Sequence, residues 1–91
     1  MISIDVSGIT DERALHLLLK RELGFPDFYG MNWAAFRDAI TGLVRIPDHV
    51  CFLGWDRLAV VVPHGAARLR QALDDYRATY RPEFVAEYAQ Q

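Results

Sequence analysis

The chain has 91 residues, 52% hydrophobic and 24% charged, with 12 acidic against 10 basic side chains and a formal net charge of −2. Such a balance describes one small globular domain over residues 1–91 and excludes a disordered chain; no apolar run approaches the roughly 20 residues of a spanning helix. With no basic block, the sequence also argues against binding to a nucleic-acid backbone, where affinity rests on clustered Lys and Arg.

Met1 leads directly into "ISIDV" without a basic leader, so a cytoplasmic protein is expected. Apolar and polar residues alternate from Ile2 to Val6, which predicts a strand buried on one face. Ser7 and Gly8 break it. Thr10 is a candidate N-cap, with Asp11 and Glu12 suited to the first turn of a helix. Ala14, Leu15, Leu18 and Leu19 recur at helical spacing until Gly24 and Pro26 stop the run.

A short aromatic loop follows, with Phe25, Pro26, Phe28 and Tyr29. One of the two phenylalanines is expected to fold under and complete the core. Phe28 and Tyr29 both turning inward is disfavoured, because Asp27 precedes them and Gly30 follows directly. Asn32 then caps a second predicted helix that stops at Gly42. At about 100° per residue, Trp33, Phe36, Ile40 and Leu43 share an apolar stripe with Ala39 at its edge. Asp38 falls nearly opposite, with Ala34, Ala35 and Gly42 leaving low ground around it and Arg37 on the flank.

His49 to Trp55 is an apolar run of strand length that can be buried on both faces. "DRLAVVVP" is ambiguous between strand and short helix. "HGAARLRQALDDYRATY" predicts a helix with Ala66, Leu69, Leu73 and Tyr76 on its apolar side, and "EFVAEYA" suits a last strand. Strands separated by helical runs indicate a small parallel sheet, hence an α/β fold.

Little in the chain points to catalysis. His16, His49 and His64 share no metal-ligand spacing and are expected at the surface or at strand ends. Ser7 lacks a nucleophile elbow, and no Gly-rich phosphate cradle is present. Cys51, in "VCFLGW", is expected to be a buried, inert thiol. No catalytic residue, metal or cofactor is therefore expected. A tyrosine beside a helix start, next to a helix face with one acid among small residues, instead suits a protein-binding surface, where aromatic anchors surround a central polar contact.

The stretch "LKRELGFPDFYGMNWAAFRDAITG" resembles the signature region of the barstar family, intracellular inhibitors of ribonucleases. About 25 residues carry the likeness closely: a helix ending in "KREL", a Pro-containing loop, Tyr-Gly-x-Asn, and Asp38 ahead of "AITG". The resemblance implies a three-stranded parallel sheet packed by about four helices and resolves the ambiguous stretch as a short helix near Trp55 to Val61. It also allows a cis bond between Ile46 and Pro47.

In function, the resemblance implies a non-enzymatic protein that is a monomer when free and forms a one-to-one complex with a small secreted ribonuclease. Loop 25–32 and helix 32–42 would plug the enzyme's active site, with Asp38 replacing a substrate phosphate among its cations. The implied partner face comprises Phe28, Tyr29, Gly30, Asn32, Ala34, Arg37, Asp38, Thr41 and Gly42, with Asp75 from the later helix. Asp74 and Asp75, taken alone, read as solvated helix surface. Ala34 stands where the family prototype has a second acid; Met31, Arg45 and Thr79 also replace acids, and Arg37 and Leu43 replace aromatics. This implies a cognate enzyme with a less basic rim. The alternative is a module that neutralises a non-ribonuclease toxin or other protein through the same surface. A hydrolase that uses Asp38 with a histidine is the weaker third reading.

Overall fold

The alternation in "ISID" becomes β1 (Ile2–Asp5), where Ile4 is fully buried while Ser3 and Asp5 face solvent. The structure is a computed structural model that describes residues 1–90; position 91 of the expected 1–91 domain lies outside the described residues. β1 pairs in parallel with β2 (His49–Leu53), which pairs in parallel with β3 (Val85–Ala89), so β2 is central. Ile4 sits opposite Phe52, and Phe52 opposite Tyr88, in one row across the sheet. The rings of Phe52 and Tyr88 stack at 5.8 Å, and Trp55 closes on Tyr88 at 4.6 Å.

The opposite sheet face carries exposed Ser3, Asp5 and Glu87 and a His49–Glu87 contact of 3.3 Å. Cys51 is buried there, and burial, reinforced by the neighbouring Glu87 carboxylate, pushes its thiol pKa up. A thiol held protonated in this way is a poor nucleophile. The middle of β2 is buried as expected of its apolar run, while its ends reach partial exposure.

Parallel neighbours require crossover connections. The first crossover contains α1 (Glu12–Leu23) and α2 (Trp33–Asp38), and the second contains α3 (Trp55–Val61) and α4 (Pro63–Thr79). Asp11, rather than Thr10, caps α1: its Oδ1 accepts from the Ala14 N–H at 2.7 Å. A carboxylate adds charge to the capping hydrogen bond and suits the positive end of the helix. Gly24, at φ 73°, ends α1, and the N–H groups of Gly24 and Phe25 both reach the Lys20 carbonyl. Only a residue tolerant of the left-handed region makes this closure without strain.

The α1 face that is buried comprises Leu15, His16, Leu19 and Leu23, a stripe turned slightly from the expected one. His16 is thus 2% exposed rather than at the surface. Its Nδ1 is joined to the Tyr29 hydroxyl by a 2.6 Å hydrogen bond, and its ring lies 4.3 Å from that of Trp33. Burial accounts for the lowered pKa of His16, the nearby Glu12 charge opposing it only in part. Tyr29 is correspondingly pushed up by burial.

The second helix departs from the expected course. Asn32 caps it as predicted, its Oδ1 accepting from Ala35 N–H at 2.7 Å. After Asp38 the chain widens into a π-helical turn over Ala39–Leu43, closed by Val44 N–H donating to the Ala39 carbonyl at 2.9 Å. Thr41 and Gly42 are weak helix formers, and the Thr41 hydroxyl donates to the Arg37 carbonyl at 2.7 Å, competing with regular helix bonding. The extra residue per turn carries Leu43 out of the apolar stripe, so it is 51% exposed, and Val44 packs against the core instead. Gly42 lies within this turn rather than at a helix stop.

α4 buries Ala66, Leu69, Leu73 and Tyr76, the face its sequence predicts, and starts with Pro63 where a missing N–H is harmless. Beyond it, Arg81 is 7% exposed; its Nη1 donates to the Ile46 carbonyl and the Tyr76 hydroxyl, both at 2.8 Å, and its guanidinium pairs with Asp48. This buried cation ties the approach to β3 to the approach to β2. The Ile46–Pro47 bond is trans, as are all peptide bonds among the described residues.

Two expectations follow. Ile40→Ala should lower unfolding free energy by about 2–5 kcal/mol and Leu43→Ala by about 1 kcal/mol or less, as measured by denaturant titration. Equal losses would mean a regular helix through both positions. The second concerns His16, whose folded-state pKa lies below its ordinary 6.5. The unfolded chain then binds more protons between the two values, so this stabilising contribution is complete above pH 6.5 and is lost as pH falls through the folded-state value. Denaturation midpoints measured across that range should fall with pH in the wild type and fall less steeply in His16→Gln, a comparison that separates His16 from the other two histidines.

Candidate functional site

The aromatic loop folds by dividing its side chains. Phe25 turns under, 6% exposed, with its ring 4.8 Å from Tyr29 and 5.7 Å from Phe36. Tyr29 turns under as well, against the expectation that it would be displayed, because its hydroxyl finds His16 in the core. Phe28, between them, is 74% exposed. A large aromatic side chain in water, fixed between two buried ones, is the first mark of a contact surface.

The next three residues set the angle at which the loop meets α2. Met31 has φ 57°, the left-handed region that residues other than glycine seldom adopt. Asn32 uses both ends of its amide: the oxygen caps α2, and Nδ2 donates to the Gly30 carbonyl at 3.1 Å. A Cβ on Gly30 would lie 3.2 Å from the Ala35 Cβ, so the loop backbone approaches the helix closely there. A tight crossing of loop and helix results, and Asp38 stands one turn beyond Ala35.

Asp38 is exposed, as its helical position predicts, and it stands on the wall between two grooves. One groove, about 240 Å³, is lined by Phe28, Tyr29, Gly30, Ala35, Asp38 and Leu43. The other, about 370 Å³, runs between the second helix and α4, lined by Arg37, Asp38, Ile40, Thr41, Ala72, Asp75, Tyr76, Thr79 and Tyr80. Among the described residues, the Asp38 carboxylate has no hydrogen-bond or ion-pair partner. Asp75 is different: its Oδ2 accepts from Arg37 Nη1 at 2.9 Å, a bridge from α4 to α2.

Phe28, Tyr29, Gly30, Arg37, Asp38, Thr41 and Asp75 therefore line the paired grooves. Asn32, Ala34 and Gly42 are exposed but outside the groove linings, Asn32 acting on the backbone. Leu43, Tyr76 and Tyr80 line the grooves without having been expected there. For Leu43 the signal was present in "TG", two weak helix formers just ahead of it. Tyr76 falls on the buried side of α4 by spacing alone, so only the packing of α4 beside α2 shows that it forms a groove wall.

The chemistry this face offers is recognition of a cation, with apolar surface beside it. The three histidines lie against Tyr29, Glu87 and Glu12. Among the described residues none contacts Asp38, and no three metal-ligating side chains stand together. Nor is any described helix long and apolar enough to cross a membrane.

A 46-residue segment is 44% identical to a protein of Bacillus subtilis (strain 168) named "Putative ribonuclease inhibitor YrdF"; the segment spans 50% of this chain and 50% of that protein. The match thus covers about half the length of that relative. The family described as Barstar (barnase inhibitor) matches residues 1–89, nearly the whole chain. With a parallel three-stranded sheet and four α-helices among the described residues, the chain belongs to the barstar family.

Proposed function

We propose that this protein inhibits a small ribonuclease inside the cell that makes it, by lodging the loop at residues 25–32 and the second helix in the enzyme's active site. The observation that carries this reading is the unpartnered carboxylate of Asp38, raised on the wall between two grooves. Enzymes that cleave RNA hold its phosphates with cationic side chains. A carboxylate presented to the same cations accepts their N–H groups in charge-assisted hydrogen bonds and so occupies the place of a phosphate. Phe28 and Leu43, both exposed beside it, supply apolar area that excludes water from the contact.

Family membership and the name of the Bacillus relative support inhibition of a ribonuclease. The one-to-one complex is part of the proposal, since one protruding acid fills one active site. So is the division of labour within the face: Asp38 supplies the central charge, and Phe28, Leu43 and the Gly30 backbone supply fit.

The test is a titration against the ribonuclease recovered on the immobilised protein, with RNA cleavage as readout. Asp38→Ala should leave the unfolding free energy within about 0.5 kcal/mol of wild type, because the side chain is exposed and unpartnered. Its binding should weaken by at least ~2 kcal/mol, since the enzyme's cations lose their counter-charge in a dry interface. A variant that inhibits as well as wild type rejects the phosphate-replacement mechanism. A recovered partner with no action on RNA moves the same face to another class of toxin. Stopped-flow association with the ribonuclease should also slow as salt rises, with a shallow slope because, of the two acids lining the grooves, Asp75 is compensated by Arg37. An association rate indifferent to salt speaks against steering by Asp38.

A further inference from the structure

Two acids border the larger groove, and they are not equivalent. Among the described residues the Asp38 carboxylate is unpartnered, whereas Asp75 is bound by Arg37 at 2.9 Å. Resting on the inhibitor reading above, we infer that Arg37 is a specificity-determining residue. It neutralises Asp75 and thereby rejects ribonucleases that would place a cation there, selecting one with a neutral or acidic group at that point of its rim.

The bridge joins two helices distant in sequence, at positions 37 and 75, across the groove that Asp38 also borders. With side chains 38% and 54% exposed, the pair adds little to stability. Its importance lies in the charge pattern shown to a partner. Without Arg37 the groove would present two carboxylates to an enzyme built to hold a polyanion, a pattern that suits any cationic rim. With Arg37 it presents one free carboxylate and one cancelled pair. A partner cation aimed at Asp75 has to displace the guanidinium, and displacement does not remove it. Arg37 is tethered beside Asp38, so its charge stays in the interface and repels the newcomer in a desolvated setting. A neutral or acidic partner group avoids that repulsion. It also gains the N–H donors of Arg37 beyond the one that Asp75 accepts. Rejection of wrong partners by a misplaced like charge is a general route to specificity.

The probe is barnase, the enzyme in the family's description. Inhibition of its RNA cleavage is measured for wild type, Arg37→Gln, Asp75→Asn and the double variant, with denaturation midpoints confirming that all four fold. Arg37→Gln should inhibit barnase about tenfold more tightly than wild type, the size of coupling expected between neighbouring charges. Asp75→Asn should weaken wild-type inhibition, since it leaves the Arg37 charge uncancelled in the interface, and should remove most of the gain in the Arg37→Gln background. The gain should also shrink at high salt. Inhibition by Arg37→Gln that equals wild type, is weaker, or is absent from both overturns the inference. So does a gain in Arg37→Gln that Asp75→Asn leaves intact. Asp38→Ala made in the Arg37→Gln background separates the two claims. If inhibition depends on Asp38 but not on Arg37, only this inference falls; if it persists without Asp38, the phosphate-replacement reading falls too.

Discussion

A buried imidazole on α1 supports the surface on which everything else here depends. His16 receives the Tyr29 hydroxyl at 2.6 Å from the loop and the Trp33 ring at 4.3 Å from the first turn of α2. Both contacts come from segments that flank the exposed Phe28 and lead to Asp38. A leucine at position 16 would fill similar space but would leave the tyrosine hydroxyl buried without a partner, a cost of about 1–3 kcal/mol. The loop would then gain by turning Tyr29 outward, and the groove beneath Phe28 would change shape. The histidine therefore acts as the fixed point against which an irregular, aromatic loop takes one conformation.

The loop's backbone adds a second constraint. Met31 in the left-handed region and Gly30 pressed against Ala35 are unfavourable choices locally, and they persist because the Asn32 amide satisfies both the helix start and the Gly30 carbonyl. Immediately after Asp38, the helix widens into a π-turn. The acid thus stands at the junction of two backbone geometries, where the changed register lifts Leu43 onto the same surface. Irregular helix turns of this kind often mark functional sites because they re-aim side chains that a regular helix would bury.

Connectivity supplies the remaining element. In a parallel sheet each crossover returns along the sheet, and here the two crossovers bring α4 beside α2. That neighbourhood makes the larger groove and the Arg37–Asp75 bridge. Arg81 closes the frame behind it, holding the turn after α4 to the segment before β2 through Ile46 and Asp48. The Arg37–Asp75 pair is half-exposed and adds little to stability, so these two charges can differ at little cost to the fold.

Sequence alone determined the elements and most of the core. The alternation in "ISID" follows from a strand with one dry face, and Ala66, Leu69, Leu73 and Tyr76 from a helix with one dry stripe. Asn32 as a cap and Asp38 as an exposed acid were equally legible, since both depend on local geometry. "DRLAVVVP" was ambiguous by its own residues, because β-branched residues suit strands, and it was the family resemblance that resolved it as the helix actually formed over Trp55–Val61. Tertiary structure decided what local periodicity does not contain. His16 is buried because a tyrosine 13 residues away needed a partner, and Tyr29 turned inward for the same reason. Leu43 left the core because Thr41 and Gly42 let the helix widen where the chain had to turn toward β2. Asp75 became distinct from Asp74 only when Arg37 arrived across the groove. Periodicity reports how one element divides itself between water and protein; a hydrogen bond or ion pair between elements depends on where the second element lies.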